Sequence, residues 1–496
     1  MFNSIKRVFR EVGVKLGLIK KLNSLTDHKK ISLSGSFYDE IIKWRELYKG
    51  YYEGLHDVTV HTIKDGTKKR CMDTLNMPKV VSNEIASLIF NERASISVSD
   101  ENYNEYIQGV FKDNKFNGKF QNFLEYMFAE GGGVIKPYVK DGKVNLSYVT
   151  ADCFVPVSWD NRGIREGVFV SQINNQNKNY THLEWHTFEN GVYVITNELY
   201  ESKTGVDLGV KVPLSTIYND LEPKVEIQGI ERPLFAYFAP ATANNLDTTI
   251  PLGVSVYANS FDTLKAIDTM FDSYIREFRL GKRRIIVPVG MIKVTYDANN
   301  QPHRYFDDSD EVYEAMPGDL DDNRINDLTT ELRVEEHISA INSMLNLLAL
   351  QIGFSPNSLS FNGSGVKTAT EVVSENSKTF RTKQSHENVI EQSLTDLIEI
   401  IGIVSELYGI YTPPEDYDVT VAFDDSIAQD RNADIDEQIK LLSAGLQYKV
   451  AAIAKLYGVT EEEAESIYER IRQESLNEAP SFQEFRAETL LSGGIE

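Results

Sequence analysis

The sequence predicts an α+β fold, because helix-like and strand-like apolar spacings occupy separate stretches of the chain. Up to residue 130, apolar side chains recur every three or four positions, which is the spacing of an amphipathic helix. From 131 to about 238 they alternate with polar side chains, as in strands with one buried face. After 254, two long helical stretches enclose a shorter, strand-like one.

Three segments of the first part predict helices: 37–56, 75–98 and 103–130. Pro78 suits the first turn of the second helix, where its missing N–H would have no partner in any case. Residues 1–22 also have helical spacing, with Lys and Arg opposite the apolar side. Such a helix either lies on a membrane surface or docks on protein, and the spacing alone permits both.

The alternating part predicts an antiparallel sheet. Asp141-Gly142 and Asn190-Gly191 separate neighbouring runs, and such pairs favour two-residue hairpin turns. Gly131, Gly132 and Gly133 lack the Gly-Lys-Ser/Thr ending of a phosphate-binding loop. They also follow a helix and precede a strand, so a turn between the two is expected.

The stretch from 255 to 365 predicts a stalk. A helix over 255–281 ends at Gly281, an insert of strands and acidic stretches covers 282–326, and a helix returns over 327–352. The polar loop 355–365 is long for a helix connection, and such loops are often functional.

A third, longer helix follows the loop and reaches Tyr408, opening on Thr368 and Glu371 at capping-box spacing. Residues 419–423 predict one strand that returns to the sheet. The remaining residues are helical and acidic, and a second capping box is expected at Thr460 and Glu463.

Bulk composition excludes several classes of protein. The chain has 496 residues and a formal net charge of −23, opposite to the basic surface with which a free nucleic-acid binder neutralises phosphates. An acidic wall would nevertheless suit a conduit for DNA, since it does not hold the passing polymer. Cys71 and Cys153 cannot build a disulfide framework, and no apolar run approaches the roughly 20 residues that span a bilayer.

No catalytic motif is recognisable, so neither an enzyme nor a cofactor is expected. His182, Glu184 and His186 alternate along one predicted strand and share a face. A metal-dependent hydrolase would need further ligands there, so a solvated strand face is expected and the hydrolase is kept as an alternative.

The insert carries two charged groups. Lys282, Arg283 and Arg284 follow the C-terminal end of a helix, where the helix dipole favours cations. They either stabilise that helix end or face phosphate or an acidic partner. The acidic stretches 307–311 and 319–322 lack the glycine of a calcium loop, so a solvated or partner-facing acidic surface is expected rather than a metal site.

Three pieces of sequence resemble the portal proteins of tailed bacteriophages, of the siphovirus type found in phages of Gram-positive bacteria. The first is LNMPKVVSNEIASLIFNE at 75–92. The second is the succession FRLGKRRIIVP (278–288), LRVEEHISAINSMLNLLALQIGFSP (332–356) and GSGVKTATEVVSEN (363–376). The third is DDSIAQDRNADIDEQIKLLSAGL at 424–446.

The resemblance implies a portal fold: a mixed α/β wing, a helical stem, a small α/β clip, a long wing helix and a helical C-terminal crown. The implied segments are wing 1–254, first stem helix 255–281, clip 282–326, second stem helix 327–354, tunnel loop 355–366, long helix and strand returning to the wing 367–433, and crown 434–496.

It also implies a ring, usually of about twelve subunits, at one capsid vertex, assembled in the host cytoplasm and carried in the virion. Expected partners are the terminase large subunit, the head-tail adaptor, the major capsid and scaffolding proteins, and double-stranded DNA passing without sequence-specific binding; no membrane is expected. The expected tunnel-loop residues are Asn357, Ser358, Asn362, Ser364 and Lys367, and the expected clip docking residues are Lys282, Arg283, Arg284, Asp307, Asp308 and Asp310.

Overall fold

The computed structural model describes the chain from residue 35 to residue 478, apart from several short stretches and most of the insert. The stretches outside the description are 63–65, 92–93, 176–177, 204–207, 220, 282–284, 287–292, 297–301, 306–325, 328–330, 362–368, 424–430 and 458.

Helices and strands follow the predicted order. The helices are α1 Gly35–Tyr48, α2 Glu53–His56, α3 Met77–Ile89, α4 Glu101–Asn114, α5 Phe116–Glu130, α6 Phe261–Leu280, α7 Val334–Gln351, α8 Ala369–Leu407, α9 Arg431–Ser443, α10 Lys449–Tyr457 and α11 Glu461–Glu478. The strands are β1 Asp57–Thr62, β2 Gly66–Cys71, β3 Ser95–Val98, β4 Gly133–Lys140, β5 Lys143–Thr150, β6 Phe154–Asp160, β7 Gly163–Asn175, β8 Lys178–Glu189, β9 Val192–Ser202, β10 Val210–Val212, β11 Lys224–Ile227, β12 Ala236–Phe238, β13 Ile285–Ile286, β14 Lys293–Tyr296, β15 Pro302–Tyr305, β16 Asn326–Asp327 and β17 Val419–Ala422.

The helix predicted over 75–98 is about half as long as expected. It begins with Pro78 in its first turn and ends at Ile89, after which Ser95–Val98 forms β3. This strand pairs with β17, Val98 opposite Val419, as a separate two-stranded sheet, so the prediction that 419–423 returns to the sheet formed by 131–238 was wrong. A single sequence does not reveal this pairing, because the two strands lie at opposite ends of the chain.

The helix predicted over 103–130 is two helices. Lys115 lies between them with φ of 53°, in the left-handed region that stops an α-helix. The break turns two aromatic surfaces toward each other, and Phe111 stacks on Phe116 at 4.2 Å between ring centroids. Phe116 and Phe120 are buried in the resulting core.

The antiparallel arrangement predicted for 131–238 is confirmed, but it forms two sheets. The order in the larger is β10-β9-β8-β7-β6 with β11 also paired to β9, and in the smaller β12-β4-β5. Asp141 and Gly142 have φ of 52° and 73°, the positive values that a type I′ hairpin turn requires. Gly131, with φ of 87°, ends α5 as the expected turn.

The two stem helices are shorter than predicted at their first residues. α6 begins at Phe261 rather than 255, and α7 begins at Val334 rather than 327 because Asn326–Asp327 pairs with Ile285–Ile286. That pairing brings both ends of the insert together beside the stem. The helix predicted over 37–56 likewise ends at Tyr48, and a short helix follows it.

The described residues fall into two compact units: those within 1–363 and 381–424, and those within 364–380 and 425–496. In the second, the predicted capping box at α11 is present, since the Thr460 N–H donates to Glu463 and the Glu463 N–H donates to the Thr460 hydroxyl. The predicted division into seven segments stays a prediction.

Candidate functional site

The candidate site is the stem, α6 with α7, together with the loop that follows α7. Leu264 and Ile267 of α6 and Ile341, Leu345 and Leu348 of α7 are buried in the shared core. Tyr274, late in α6, contacts His337, early in α7, with ring centroids 5.6 Å apart. The two helices therefore run in opposite directions, as a stalk requires.

Two carboxylates attach α6 to the first hairpin and the segment after it. Asp268 accepts hydrogen bonds from the Leu75 N–H at 3.0 Å and the Thr74 hydroxyl at 2.9 Å, and His56 Nε2 lies 3.2 Å away. Asp272 accepts two hydrogen bonds from Arg70, at 2.6 and 2.5 Å. α6 is therefore held to the first hairpin and the segment after it by two buried carboxyl side chains.

Glu277 joins the far ends of the two stem helices. It accepts from the Arg333 backbone N–H at 2.8 Å, from the Arg333 guanidinium at 2.9 Å, and from His337 Nε2 at 2.6 Å. The hydrogen bonds from Arg333, followed by that from His337, lower the pKa of Glu277 from its ordinary 4.5 to about 2. The carboxylate is therefore ionised near neutral pH, and the insert begins and ends at a fixed junction.

The first half of the loop folds back along α7. Asn357, with φ of 66°, donates its N–H to Asn346 Oδ1 at 2.7 Å, and the Phe361 N–H donates to Asn342 Oδ1 at 2.9 Å. The Ser358 hydroxyl donates to the Ser355 carbonyl at 2.7 Å. Two asparagines one helical turn apart therefore hold the loop as an ordered turn that leaves Phe361 58% exposed.

The predicted site residues divide into described and undescribed ones. Asn357 and Ser358 lie on the ordered turn, where Asn357 Oδ1 and the Ser358 hydroxyl also take part in its hydrogen bonds. The other predicted residues lie outside the described part of the chain: Asn362, Ser364, Lys367, Lys282, Arg283, Arg284, Asp307, Asp308 and Asp310.

Three residues of the site were missed by reasoning from the sequence. Asn342 and Asn346 are spaced i, i+4 in a largely apolar helix, and this was the available signal that their side chains bind backbone. Glu277 carries no such signal, because its partners Arg333 and His337 lie 56 and 60 residues further along the chain.

The prediction of a solvated face for His182, Glu184 and His186 was wrong. His182 and His186 are 5% and 2% exposed, and Glu184 pairs with the buried Lys136. Burial lowers the pKa of both histidines, so both are neutral near pH 7. Within the described residues no group of His, Cys, Asp and Glu has the arrangement of a metal site, and nothing supports the hydrolase alternative.

The described helices also provide no candidate for a membrane crossing, since none combines sufficient length with sufficient apolar character.

Comparison with known proteins places these features in a family. A family model described as "Phage portal protein, SPP1 Gp6-like" matches residues 27–476. Among solved structures, a chain of a virion of a native gene transfer agent particle aligns at 10% identity and a TM-score of 0.40, over 77% of this chain and 88% of that one. No curated protein shows significant similarity to the chain.

Proposed function

The chain belongs to the SPP1 Gp6-like family of phage portal proteins, and from this premise we propose how it carries out portal function. Members of the family are structural, ring-forming components of the capsid through which DNA passes. We propose that this chain closes a ring of about twelve copies at one vertex. It would assemble in the host cytoplasm with the major capsid and scaffolding proteins.

The exposed apolar side chains of the stem support ring closure. Leu347 and Leu350 of α7 are 39% and 54% exposed, and Phe278 of α6 is 44% exposed. Leu347 and Leu350 lie one turn apart on α7, and neighbouring exposed apolar side chains mark surfaces that other chains cover. A second copy of the stem, presented by the neighbouring subunit, is the occupant we propose.

We propose that the loop after α7 faces the passing DNA. Its described part is short, polar and held to α7, so each subunit would present Asn357 and Ser358 at a fixed height. Amide and hydroxyl groups offer phosphates weak contacts that exchange readily, and Lys367 would add one cation per subunit. The acidic balance of the chain keeps such contacts from becoming tight.

We propose that the insert docks the partners in turn: the terminase large subunit during packaging and the head-tail adaptor afterwards. The pairing of Ile285–Ile286 with Asn326–Asp327 closes the insert at its base. In sequence, Asp307, Asp308 and Asp310 fall between these two paired strands, and Lys282, Arg283 and Arg284 directly precede the first of them, so we propose both charged groups as docking residues.

The measurement that tests this function is the mass and shape of the purified chain. Mass photometry is expected to give a particle of about a dozen copies, and negative-stain images of the same sample a ring with a central hole. A stable monomer or dimer across protein and salt concentrations would contradict the proposal.

A variant that lacks residues 356–364 tests the role of the loop separately from ring closure. It is expected to close rings made of the same number of copies but to give fewer DNA-filled heads when it replaces the natural chain during infection. The Ser343→Ala variant is the control, because that exposed hydroxyl bonds within its own helix. An unchanged yield of filled heads with the deletion would remove the proposed role of the loop.

A further inference from the structure

A cavity of about 800 Å³ lies in the β-sheet half of the chain, away from the stem and the loop. Its walls come from four places: strands β7, β8, β9 and β11 of the larger sheet, strand β4 of the smaller sheet, the segment that precedes β11, and the end of α8. The volume falls within the roughly 300–1,000 Å³ range of pockets that hold small organic ligands.

A chain of buried hydrogen bonds ends at the cavity. The Tyr193 hydroxyl accepts from the Leu234 N–H at 3.0 Å, so its own proton goes to His186 Nδ1 at 2.7 Å. His186 is then left with its proton on Nε2, and it donates to Glu184 Oε1 at 2.9 Å. Lys136 donates to the same oxygen at 2.5 Å.

Glu184 therefore presents its second oxygen to the cavity. Both described hydrogen bonds go to Oε1, and the side chain, which lines the cavity, remains 13% exposed. Burial raises the pKa of Glu184, but Lys136 and His186 together outweigh it and hold the pKa well below its ordinary value. An ionised carboxylate oxygen is thus available as an acceptor deep in the pocket.

A second acceptor lies beside the first. Asn197 donates its amide to the Glu222 carbonyl at 2.9 Å, so its Oδ1 accepts from His182 Nε2–H at 3.0 Å. His182 Nδ1 is consequently unprotonated, with the Ser171 hydroxyl 3.5 Å away. The cavity therefore offers the second oxygen of Glu184 as an acceptor and, where a ligand displaces the Ser171 hydroxyl, His182 Nδ1 as another.

The charged and apolar side chains that line the cavity indicate which kind of ligand it would bind. The lining includes two carboxylates, Glu184 and Glu222, against the single ammonium of Lys136, and the histidines are neutral. Aliphatic and aromatic side chains complete the walls, among them Ile173, Leu407 and Tyr408. The mouth is marked by the exposed Thr216, Asn219 and Glu222.

We propose that this cavity is a binding site for a small organic cation, a protonated amine or guanidinium carried on an apolar body. The cation would bind Glu184 Oε2 and His182 Nδ1, and the apolar body would fill the space against the end of α8. A lysine or arginine side chain is much smaller than the cavity, so a small molecule is the better fit. The residues that line this site are different from those to which ring closure and DNA passage are assigned above.

Three probes of one shape test the proposal by isothermal titration calorimetry on the assembled protein: 1-naphthylmethylamine, 1-naphthylmethanol and 1-naphthoate. We expect the amine to bind at least tenfold more tightly than the alcohol, and the carboxylate not to bind measurably. Equal binding of all three, tighter binding of the carboxylate, or no binding at millimolar concentration would each overturn the proposal.

Variants connect the preference to the pocket. The double variant Glu184→Gln with Lys136→Met removes both partners of the buried ion pair, so neither charge is left buried without its partner. It should reduce the preference for the amine over the alcohol to about twofold or less. Ile217→Trp, at the partly exposed rim, should abolish binding of both probes while the melting temperature is kept.

The control is Glu226→Gln, which changes an exposed carboxylate of β11 whose own side chain does not line the cavity. Retained amine preference in the double variant, or an equal loss of amine binding in the control, would contradict the site.

Discussion

Glu277 shows how much of the stem depends on one side chain. It is the common acceptor for the Arg333 backbone, the Arg333 guanidinium and His337, and so it closes the helix pair where the insert begins. Arg333 is 70% exposed, so solvent screens the ion pair and the hydrogen bond to the backbone matters most for geometry.

The pKa of Glu277 predicts an acid limit for this junction. Since the folded pKa is about 2 and the ordinary value is 4.5, the contribution to stability is complete above pH 4.5 and is lost as pH falls from there toward 2. Hydrogen exchange, corrected for intrinsic rates, should show protection of the amides at the start of α7 falling over that range. In Glu277→Gln the protection should already be low at neutral pH.

Glu335→Gln is the matched control, because Glu335 is an exposed acid in the same first turn of α7. It should leave the exchange profile unchanged. Protection in Glu277→Gln equal to that of the natural chain at neutral pH would show that the junction does not depend on this carboxylate.

At the scale of elements, side chains of α7 determine the path of the loop that follows this helix. Asn342 and Asn346 give their side-chain oxygens to the N–H groups of Phe361 and Asn357, so the chain turns back at once instead of projecting freely. The left-handed conformation at Asn357 suits asparagine better than most other residues.

Removing this clamp should loosen the loop without unfolding the stem. Asn346→Ala is expected to raise the exchange rate of the Asn357 amide roughly fivefold, corresponding to about 1 kcal/mol for the missing hydrogen bond. Amides in the middle of α7 should not change. Ser343→Ala serves again as the control, and an unaltered Asn357 amide in Asn346→Ala would mean that the turn is held by other interactions.

At the scale of the whole molecule, charge decides what the protein can bind tightly. A net charge of −23 per chain is multiplied in a ring, which disfavours lasting attachment to DNA and favours partners with basic surfaces. We propose the acids of the insert as the docking site for such a partner, because the stretch that contains them is acidic and is bounded by the pairing of Ile285–Ile286 with Asn326–Asp327.

Replacing Asp307, Asp308 and Asp310 by Asn should therefore weaken terminase or adaptor binding, by about 0.2–1 kcal/mol for each exposed ion pair that the substitutions remove. The loss of binding free energy should become smaller as salt is added, so the affinity for the partner should be measured at low salt. Replacing the exposed Glu84, Glu101 and Glu105 by Gln changes the charge equally and should have no effect. Equal affinity of both triple variants would remove the insert from the docking surface.

Local patterns predicted the elements whose causes are local. Pro78 in a first helical turn, the Asp141-Gly142 hairpin and the Thr460–Glu463 capping box were all confirmed, since each depends on residues within a few positions of one another. The same patterns failed where distant strands compete for a segment. Ser95–Val98 has a helix-compatible sequence but pairs along its whole length with Val419–Ala422.

The features of the candidate site likewise divide into those that local sequence patterns predicted and those that they did not. The stalk and the loop were predictable because helical periodicity, Gly281 at a helix end and the polar composition of 355–365 can each be read from a continuous stretch of sequence. The buried Lys136–Glu184–His186 group was not, since alternation in a strand shows that residues share a face but not what covers that face.

The sequence by itself determined that this is an α+β chain with a helical stalk, a polar loop and a strongly acidic balance of charge, because periodicity, turn residues and charge need no knowledge of distant neighbours. Only the tertiary structure decided that Glu277 closes the stem, that two asparagines fold the loop back, and that an expected solvated strand face lines a cavity. These depend on which residues, far apart in sequence, meet when the core is packed, and a single sequence does not record that.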